Sequence, residues 1–391
     1  MQITLFDHPE DHQNLLPVTY LKSISDIRIG IFTIKEKWEK HLNQSVDALV
    51  VAYQQGKYPV SRDFELLIRS NVLPDGELIH AINALSIGEK LVQENLIIAA
   101  RVGASFDPSD LNFETLNSVS YGGKVSVIRR SWDIFQHNGV AITADFQLLD
   151  RSASGTISDP HTITYGSEIY IEAGASIRAA TLNSETGPIY IGNNAEIQEG
   201  AMIRGPFALG DHSVVNMGAK LRGGVTLGPY CKIGGEASYC VMQGYSNKGH
   251  DGYLGSSVIG EWCNLGADTN NSNLKNNYEN VKMWDYAQRR FIDTGLQFCG
   301  LIMGDHSKSA INTMFNTGTT IGISANIFGA GFPRNIIPSF SWGGAAKTIP
   351  YRLDKALETM ERVMARREKT LTDVDKAMMT HIFDQTAHMR P

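Results

Sequence analysis

His250 is the residue of this chain best suited to move a proton. It stands in Gly249-His250-Asp251-Gly252-Tyr253, flanked by glycines and followed three positions later by a tyrosine. We read this segment as a loop, about Cys240 to Leu254, inserted into a repeating region. An imidazole titrates near neutrality, so it can take a proton from an amine or hydroxyl and return it later. A second inserted loop, Asp268 to about Asn280, is rich in asparagine. The four cysteines, Cys231, Cys240, Cys263 and Cys299, form no CxxC pair. Isolated cysteines fit packed thiols in a reducing cytoplasm and no metal site.

The element that must hold His250 is announced by its period. Ile191, Ile197, Ile203, Leu209, Val215, Leu221, Leu227 and Ile233 fall at steps of six without a miss. Ile171 and Ile177 share the spacing, and Met303, Ser309, Phe315, Ile321 and Ile327 resume it. Of 37 glycines, 26 lie between Gly166 and Gly331. A hexapeptide-repeat parallel β-helix explains both facts: each unit is a short strand plus a corner, its aliphatic residue points inward, and glycine permits the corner. A sandwich would alternate at two instead. A flat-sided solenoid has few pockets of its own, so binding belongs to projecting loops.

Residues 1 to about 105 read as α/β. Ile3–Phe6, Ala48–Val51 and Phe64–Ile68 are strand candidates, Ile34–Leu42 is an amphipathic helix, and helical spacing runs from Glu77 to about Val92. The stretch from about Ala104 to Gly155 reads as a connector with strand-like pieces at Val125–Ile128 and Gly139–Phe146. Strands alternating with helices favour a parallel sheet with ligands at its carboxyl ends. After the solenoid, Leu353, Leu357, Met360, Val363 and Met364 make an apolar stripe, and Thr372 to Asp375 opens a final helix to about Gln385. The expected domains are 1–155, 156–345 and 346–391. With 35 basic and 41 acidic residues of both signs interspersed, the 391-residue chain is not a nucleic-acid binder in composition. No apolar run approaches a membrane span, and no signal peptide is visible, which points to the cytoplasm.

Gly249 to Gly255, Val258-Ile259-Gly260, Asn264-Leu265-Gly266-Ala267-Asp268-Thr269 and Asn273 resemble the acyltransferase half of the bifunctional N-acetylglucosamine-1-phosphate uridyltransferase/glucosamine-1-phosphate N-acetyltransferase family. The resemblance implies an α/β nucleotidyltransferase-like domain followed by a left-handed β-helix. It implies His250 as general base for acetyl transfer from acetyl-CoA to an amino-sugar 1-phosphate. Tyr253 and Asn264 would hold the sugar, Arg222 its phosphate, Ala267 the acetyl-CoA, and Asn273 the thioester carbonyl. Ser238 and Leu274 stand where the family carries lysine and tyrosine. A homotrimer is implied as well.

The N-terminal half is similar to a divergent sugar nucleotidyltransferase through Leu15-Leu16-Pro17-Val18-Thr19 and Asp26-Ile27-Arg28-Ile29-Gly30. The resemblance makes Pro17, Thr19, Lys22, Arg28 and Asn71 the nucleotide-binding candidates, UTP or dTTP the nucleotide, and Mg²⁺ the assisting ion. The glycine-rich phosphate loop is replaced by Asp7-His8-Pro9-Glu10-Asp11-His12, an acidic run expected to repel a triphosphate. Three functions stay open: acetyl transfer with nucleotidyl transfer in a UDP-N-acetylglucosamine-type synthesis, nucleotidyl transfer alone on a structural β-helix, and a non-catalytic scaffold subunit.

Overall fold

The computed structural model describes residues 2–60, 64–103, 106 and 111–390. Residues 104, 105 and 107–110 of the expected connector fall outside that set. The chain forms two compact units. One holds Met1–Leu15, Leu21–Ile27 and Phe32–Arg130, the other Leu16–Tyr20, Arg28–Ile31 and Ser131–Pro391.

In the first unit, Ile3–Phe6 lies between Asp47–Leu49 and Leu66–Arg69, parallel to both. Leu96–Arg101 then pairs antiparallel to Leu66–Arg69, Glu89–Gln93 antiparallel to that, and Asn117–Ser120 parallel at the edge. The sheet is therefore mixed rather than parallel. The helix Ile34–Leu42 forms where its spacing places it, opened by a capping box between Thr33 and Glu36 that satisfies two otherwise orphaned donors. The helix after Gly76 stops at Asn83, short of the expected Val92. Gly88 sits at φ +90°, a turn only glycine adopts readily, and Glu89–Gln93 continues as strand.

The second unit is a parallel β-helix. Strands stack in register on three faces, with nine rungs on the second face running Ser176–Ile177, Glu196–Ile197, Val214–Val215, Lys232–Ile233, Asn247–Lys248, Asn264–Leu265, Lys308–Ser309, Asn326–Ile327 and Ser341–Gly343. The six-step aliphatic residues are buried in one continuous core, and Cys231, Cys240 and Cys263 are buried with them. All four thiols are free. Stacking is the source of stability here, because each coil buries its apolar row only against the next.

Three sequence readings change. The segment 240–254 is not an insertion: Glu236–Gly244, Asn247–Lys248 and Tyr253–Glu261 are coil strands paired in unbroken parallel register. The real insertion is the later one and is longer than expected. Asn264 pairs with Lys308, 44 positions on, and the extra chain includes a hairpin of Lys282–Asp285 with Arg290–Asp293. Gly139–Phe146 is helical, part of Asp133–Phe146. Its buried Ile134, Phe135, Asn138, Ala141, Ile142, Asp145 and Phe146 recur at three and four, the spacing of one helix face. Asn138 and Asp145 accept from the backbone N–H groups of Gly30 and Ile31 at 2.7 and 2.8 Å. Gly30 sits at φ +78°, and a Cβ there would fall 2.4 Å from an Asp145 oxygen.

The apolar stripe forms the helix Leu353–Ala365, and the capping box of Thr372 and Asp375 opens the helix Asp373–Gln385. Among the described residues, no helix is long and apolar enough to cross a membrane.

Candidate functional sites

His250 lies at a corner of the β-helix, where the second face passes into the third. Val214 pairs with Lys232, 18 positions on, yet Lys220 pairs with Glu236, only 16 on. The corner at Gly234-Gly235 is thus two residues short. Both must be glycine: a Cβ on Gly234 would lie 2.7 Å from the Gly249 carbonyl oxygen, and one on Gly235 would lie 2.6 Å from that of Gly252. The shortfall opens a notch of about 510 Å³ bordered by Gln198, Asn216, Met217, His250, Asp251 and Asp268, with Ala267 also at its wall. The Asn216 amide donates to the Gly249 carbonyl at 2.6 Å and fixes the notch floor.

His250 is exposed at this notch. Beyond the corner, on the third face, Arg222 is in register with Ser238, and Ser238 with Gly255. The Tyr253 hydroxyl is 2.9 Å from Ser238 Oγ. Asn273 Nδ2 donates to Tyr253 Oη at 3.3 Å and to Ser256 Oγ at 3.2 Å. Ser238, standing in place of a lysine, therefore orients the tyrosine. Arg222 donates to Glu236 at 2.9 Å, with both side chains substantially exposed.

The structure thus gathers Arg222, Tyr253 and Asn273 on one face, with His250 and Ala267 at the adjoining corner. Asn264 is not with them. It points outward on the second face, in register with Asn247 and Lys308.

One residue at this corner escaped the sequence reading. Lys248 occupies an inward-facing position, in register with Ile233, and is wholly buried. Its ammonium donates to the carbonyl oxygens of His250 and Asp251 at 2.9 and 3.1 Å. Burial pulls its pKa down to about 8. The signal was available: a lysine in the column that otherwise reads Ile197, Val215, Ile233.

The five N-terminal candidates are divided between the two units. Pro17, Thr19 and Arg28 pack with the β-helix unit, whereas Lys22 and Asn71 belong to the other. Thr19, Lys22 and Asn71 are buried. Arg28 is joined to Gln243 through its backbone N–H and carbonyl at 2.7 and 3.1 Å, and its guanidinium donates to the Ile31 carbonyl. The Asn71 amide donates to the Ile128 carbonyl at 3.2 Å, so it is spent on the pairing of Val72–Leu73 with Ser126–Val127.

A different cleft, of about 780 Å³, opens at the carboxyl ends of Ile3–Phe6 and Leu66–Arg69. His8, Arg69, Lys90, Arg129 and Arg130 border it, together with Glu10, Asp11 and Glu114. The acidic run is less repulsive here than its composition suggests. Asp7 turns inward, accepting from Ser23 Oγ and the Ile24 N–H at 3.1 and 3.0 Å, and burial raises its pKa to about 7. Asp11 is paired with Arg69 at 2.5 Å in a buried bridge. His8 Nδ1 has no partner, and burial followed by the charge of Arg69 lowers its pKa, keeping the imidazole neutral. Among the described residues no group of three or more His, Cys, Asp or Glu side chains could hold a metal. Mg²⁺ is usually held through one or two carboxylates and the nucleotide's own phosphates, and Glu10 and Glu114 border this cleft.

Residues 3–154 match the family model described as sugar nucleotidyl transferase. That domain is followed by the hexapeptide β-helix. The chain has the layout of the bifunctional GlmU-like fusions. A curated relative, the bifunctional protein GlmU of Methanocaldococcus jannaschii, is 36% identical over 73 residues, which is 19% of this chain and 17% of that protein. The matched stretch is thus under a fifth of the relative's length. Two solved structures also align: the polySia-specific acetyltransferase NeuO, at 16% identity over 56% of this chain and 100% of that one with a TM-score of 0.30, and the Arabidopsis UDP-N-acetylglucosamine acyltransferase, at 13% over 59% and 91% with a TM-score of 0.22. At these scores neither adds to what the strand pairing itself shows.

Proposed function

We propose that the β-helix transfers an acyl group from acetyl-CoA to the amine of an amino-sugar phosphate, with His250 as general base. The carrying observation is the corner itself: an exposed imidazole on a notch bordered by Ala267, one corner away from the ordered Tyr253–Asn273 pair. His250 takes a proton from the sugar ammonium, and the freed amine attacks the thioester carbonyl. The carbon–sulfur bond breaks, the extra proton of the attacking nitrogen passes to the departing sulfur, coenzyme A leaves as its thiol, and an amide remains. Asn273 Nδ2 is the donor placed to meet the oxyanion, and Arg222 is the cation for the phosphate.

Asn264 faces away from this group, so the site would be completed by a second copy presenting its second face. Met202, Met217, Ile311 and Met314 are exposed on and beside the His250 corner, an apolar surface of the kind that copies of a chain cover. A homotrimer is the arrangement we propose, to be checked by light scattering.

The test is release of free CoA thiol with glucosamine 1-phosphate. His250→Ala should lower kcat by about 10²–10⁴-fold, the usual contribution of a general base, and leave thermal unfolding unchanged because the side chain is exposed. Unchanged turnover would remove His250 from the mechanism.

A second activity is favoured by the cationic border of the N-terminal cleft. Arg69, Lys90, Arg129 and Arg130 suit a phosphate-bearing ligand, and we propose a sugar 1-phosphate with UTP or dTTP. Pyrophosphate release from that mixture tests it. If neither assay nor binding of acetyl-CoA and UTP is detectable, the scaffold reading takes over.

A further inference from the structure

We infer that Lys248 is a positioning residue for the His250 corner, an internal strut that holds the base-bearing loop from inside the β-helix. This inference rests on the acyl-transfer reading for its functional consequence, though not for its structural one.

A lysine at an interior rung is costly. The neighbouring interior positions on this face are apolar, Ile233 on one side and Leu265 on the other, both buried. Removing an ammonium from water is unfavourable unless its protons are bonded, and lysine is almost never fully buried without a partner. An aliphatic residue would fill the rung more cheaply, as Ile233 does one coil earlier.

What the ammonium touches explains its presence. It donates to two consecutive carbonyls, those of His250 and Asp251. Both belong to the outer corner, so one interior group clamps the two peptide units that flank Asp251. Burial opposes the charged form, and the carboxylates of Asp251 and Asp268 favour it from the corner side; the Cys240 thiol, pushed up to about 12 by burial, stays uncharged between pH 7 and 9. Gly252 closes the arrangement at φ +114°; a Cβ there would crowd the Lys248 ammonium at 3.2 Å and the Thr269 carbonyl oxygen at 2.4 Å. The corner backbone is therefore held by a charge-assisted pair of bonds, stronger than neutral ones, at the place where a base must be aimed.

The experiment compares wild type with Lys248→Met, which keeps the length and apolar stem of the side chain and removes the donors. Amide hydrogen exchange of the full chain is the first readout. The amides bonded at this corner, those of Glu236, Tyr253 and Asp268, should exchange at least tenfold faster in the variant, with the neighbouring coils still protected. Unchanged protection there would overturn the strut. Turnover of acetyl-CoA with glucosamine 1-phosphate is the second readout: kcat should fall at least tenfold with KM for acetyl-CoA within twofold, and an unchanged kcat would overturn the functional role.

A third readout uses the wild type alone and survives a variant that does not fold. The folded pKa lies below the unfolded value, so deprotonation above about pH 8 stabilises the fold relative to the unfolded chain while weakening both carbonyl bonds. Protection of the Glu236, Tyr253 and Asp268 amides, corrected for intrinsic exchange, should fall between pH 7 and 9. Flat protection across that range would refute the clamp. If wild type shows no acyl transfer at all, the acyl-transfer reading fails, and the exchange results still decide whether Lys248 holds the corner.

Discussion

The two candidate sites are built in opposite ways. At the His250 corner, the participating groups except Asn273 come from successive coils, and the strand register that aligns Ile233 with Lys248 also places His250 beside the shortened Gly234-Gly235 corner. In the N-terminal cleft, His8, Arg69, Lys90 and Arg129–Arg130 arrive from four separate stretches of chain, brought together by a mixed sheet. A solenoid writes its geometry into its period, because each residue's neighbours lie one coil away. An open α/β sheet does not, because strand order and direction are set by non-local pairing. The cleft should therefore be the more easily broken of the two, through its few buried polar links.

The largest effect we expect is at Arg69. Arg69→Met leaves Asp11 as a buried carboxylate without its partner, and breaking one side of such a pair costs about 3–5 kcal/mol. Hydrogen exchange of Ile3–Phe6 and Leu66–Arg69 should rise accordingly while the β-helix strands stay protected. Replacing both partners, Arg69→Met with Asp11→Leu, should recover much of the loss. Equal loosening of both units would contradict the contrast between them.

Legibility follows the same division. The six-step repeat exposed the β-helix, and the order of His250, Tyr253, Asn264 and Asn273 marked one region of it. The reading went wrong where a pattern was broken for a structural reason. Cys240–Leu254 looked like an insertion because its coils are short. The step from Lys220 to Glu236 loses two residues at the corner, and Lys248 removes an aliphatic marker from the column. In the first unit, Arg69 and Arg130 carried no signal. Nothing local says that a strand's last residue will meet Asp11, or that Arg130 will donate to Asn14 at 2.8 Å. Asn71 drew attention by analogy, but its amide serves the strand pair beside it.

A smaller effect should appear in the pH dependence of the N-terminal unit. Asp7 has its carboxyl raised from 3.8 to about 7 by burial, so the folded unit holds a proton that the unfolded chain releases near pH 4. Its contribution to stability is complete below about pH 4 and is lost as the pH rises toward 7, at no more than about 1.4 kcal/mol per pH unit. Asp7→Asn keeps a neutral side chain of the same shape and should flatten that slope. Comparing the exchange of Ile3–Phe6 at pH 4.5 and 7 in wild type and variant gives the measurement. An identical slope in both proteins would mean that Asp7 is ionised in the fold.

The smallest effect, and the sharpest for the acceptor, concerns Arg222. Its bridge to Glu236 is exposed, with the arginine side chain 58% accessible, and such pairs are worth about 0–1 kcal/mol. Arg222→Ala should therefore leave unfolding almost unmoved. If the arginine receives the acceptor's phosphate, the variant should raise KM for glucosamine 1-phosphate with kcat held, the signature of binding lost equally from ground and transition states. Glu236→Gln makes the opposite change. It frees the guanidinium from a competing carboxylate, so KM should fall. Movement of KM in opposite directions in the two variants would place the phosphate on the third face, one corner from His250. Movement in the same direction would mean that the pair acts as a structural unit and that the phosphate is held elsewhere.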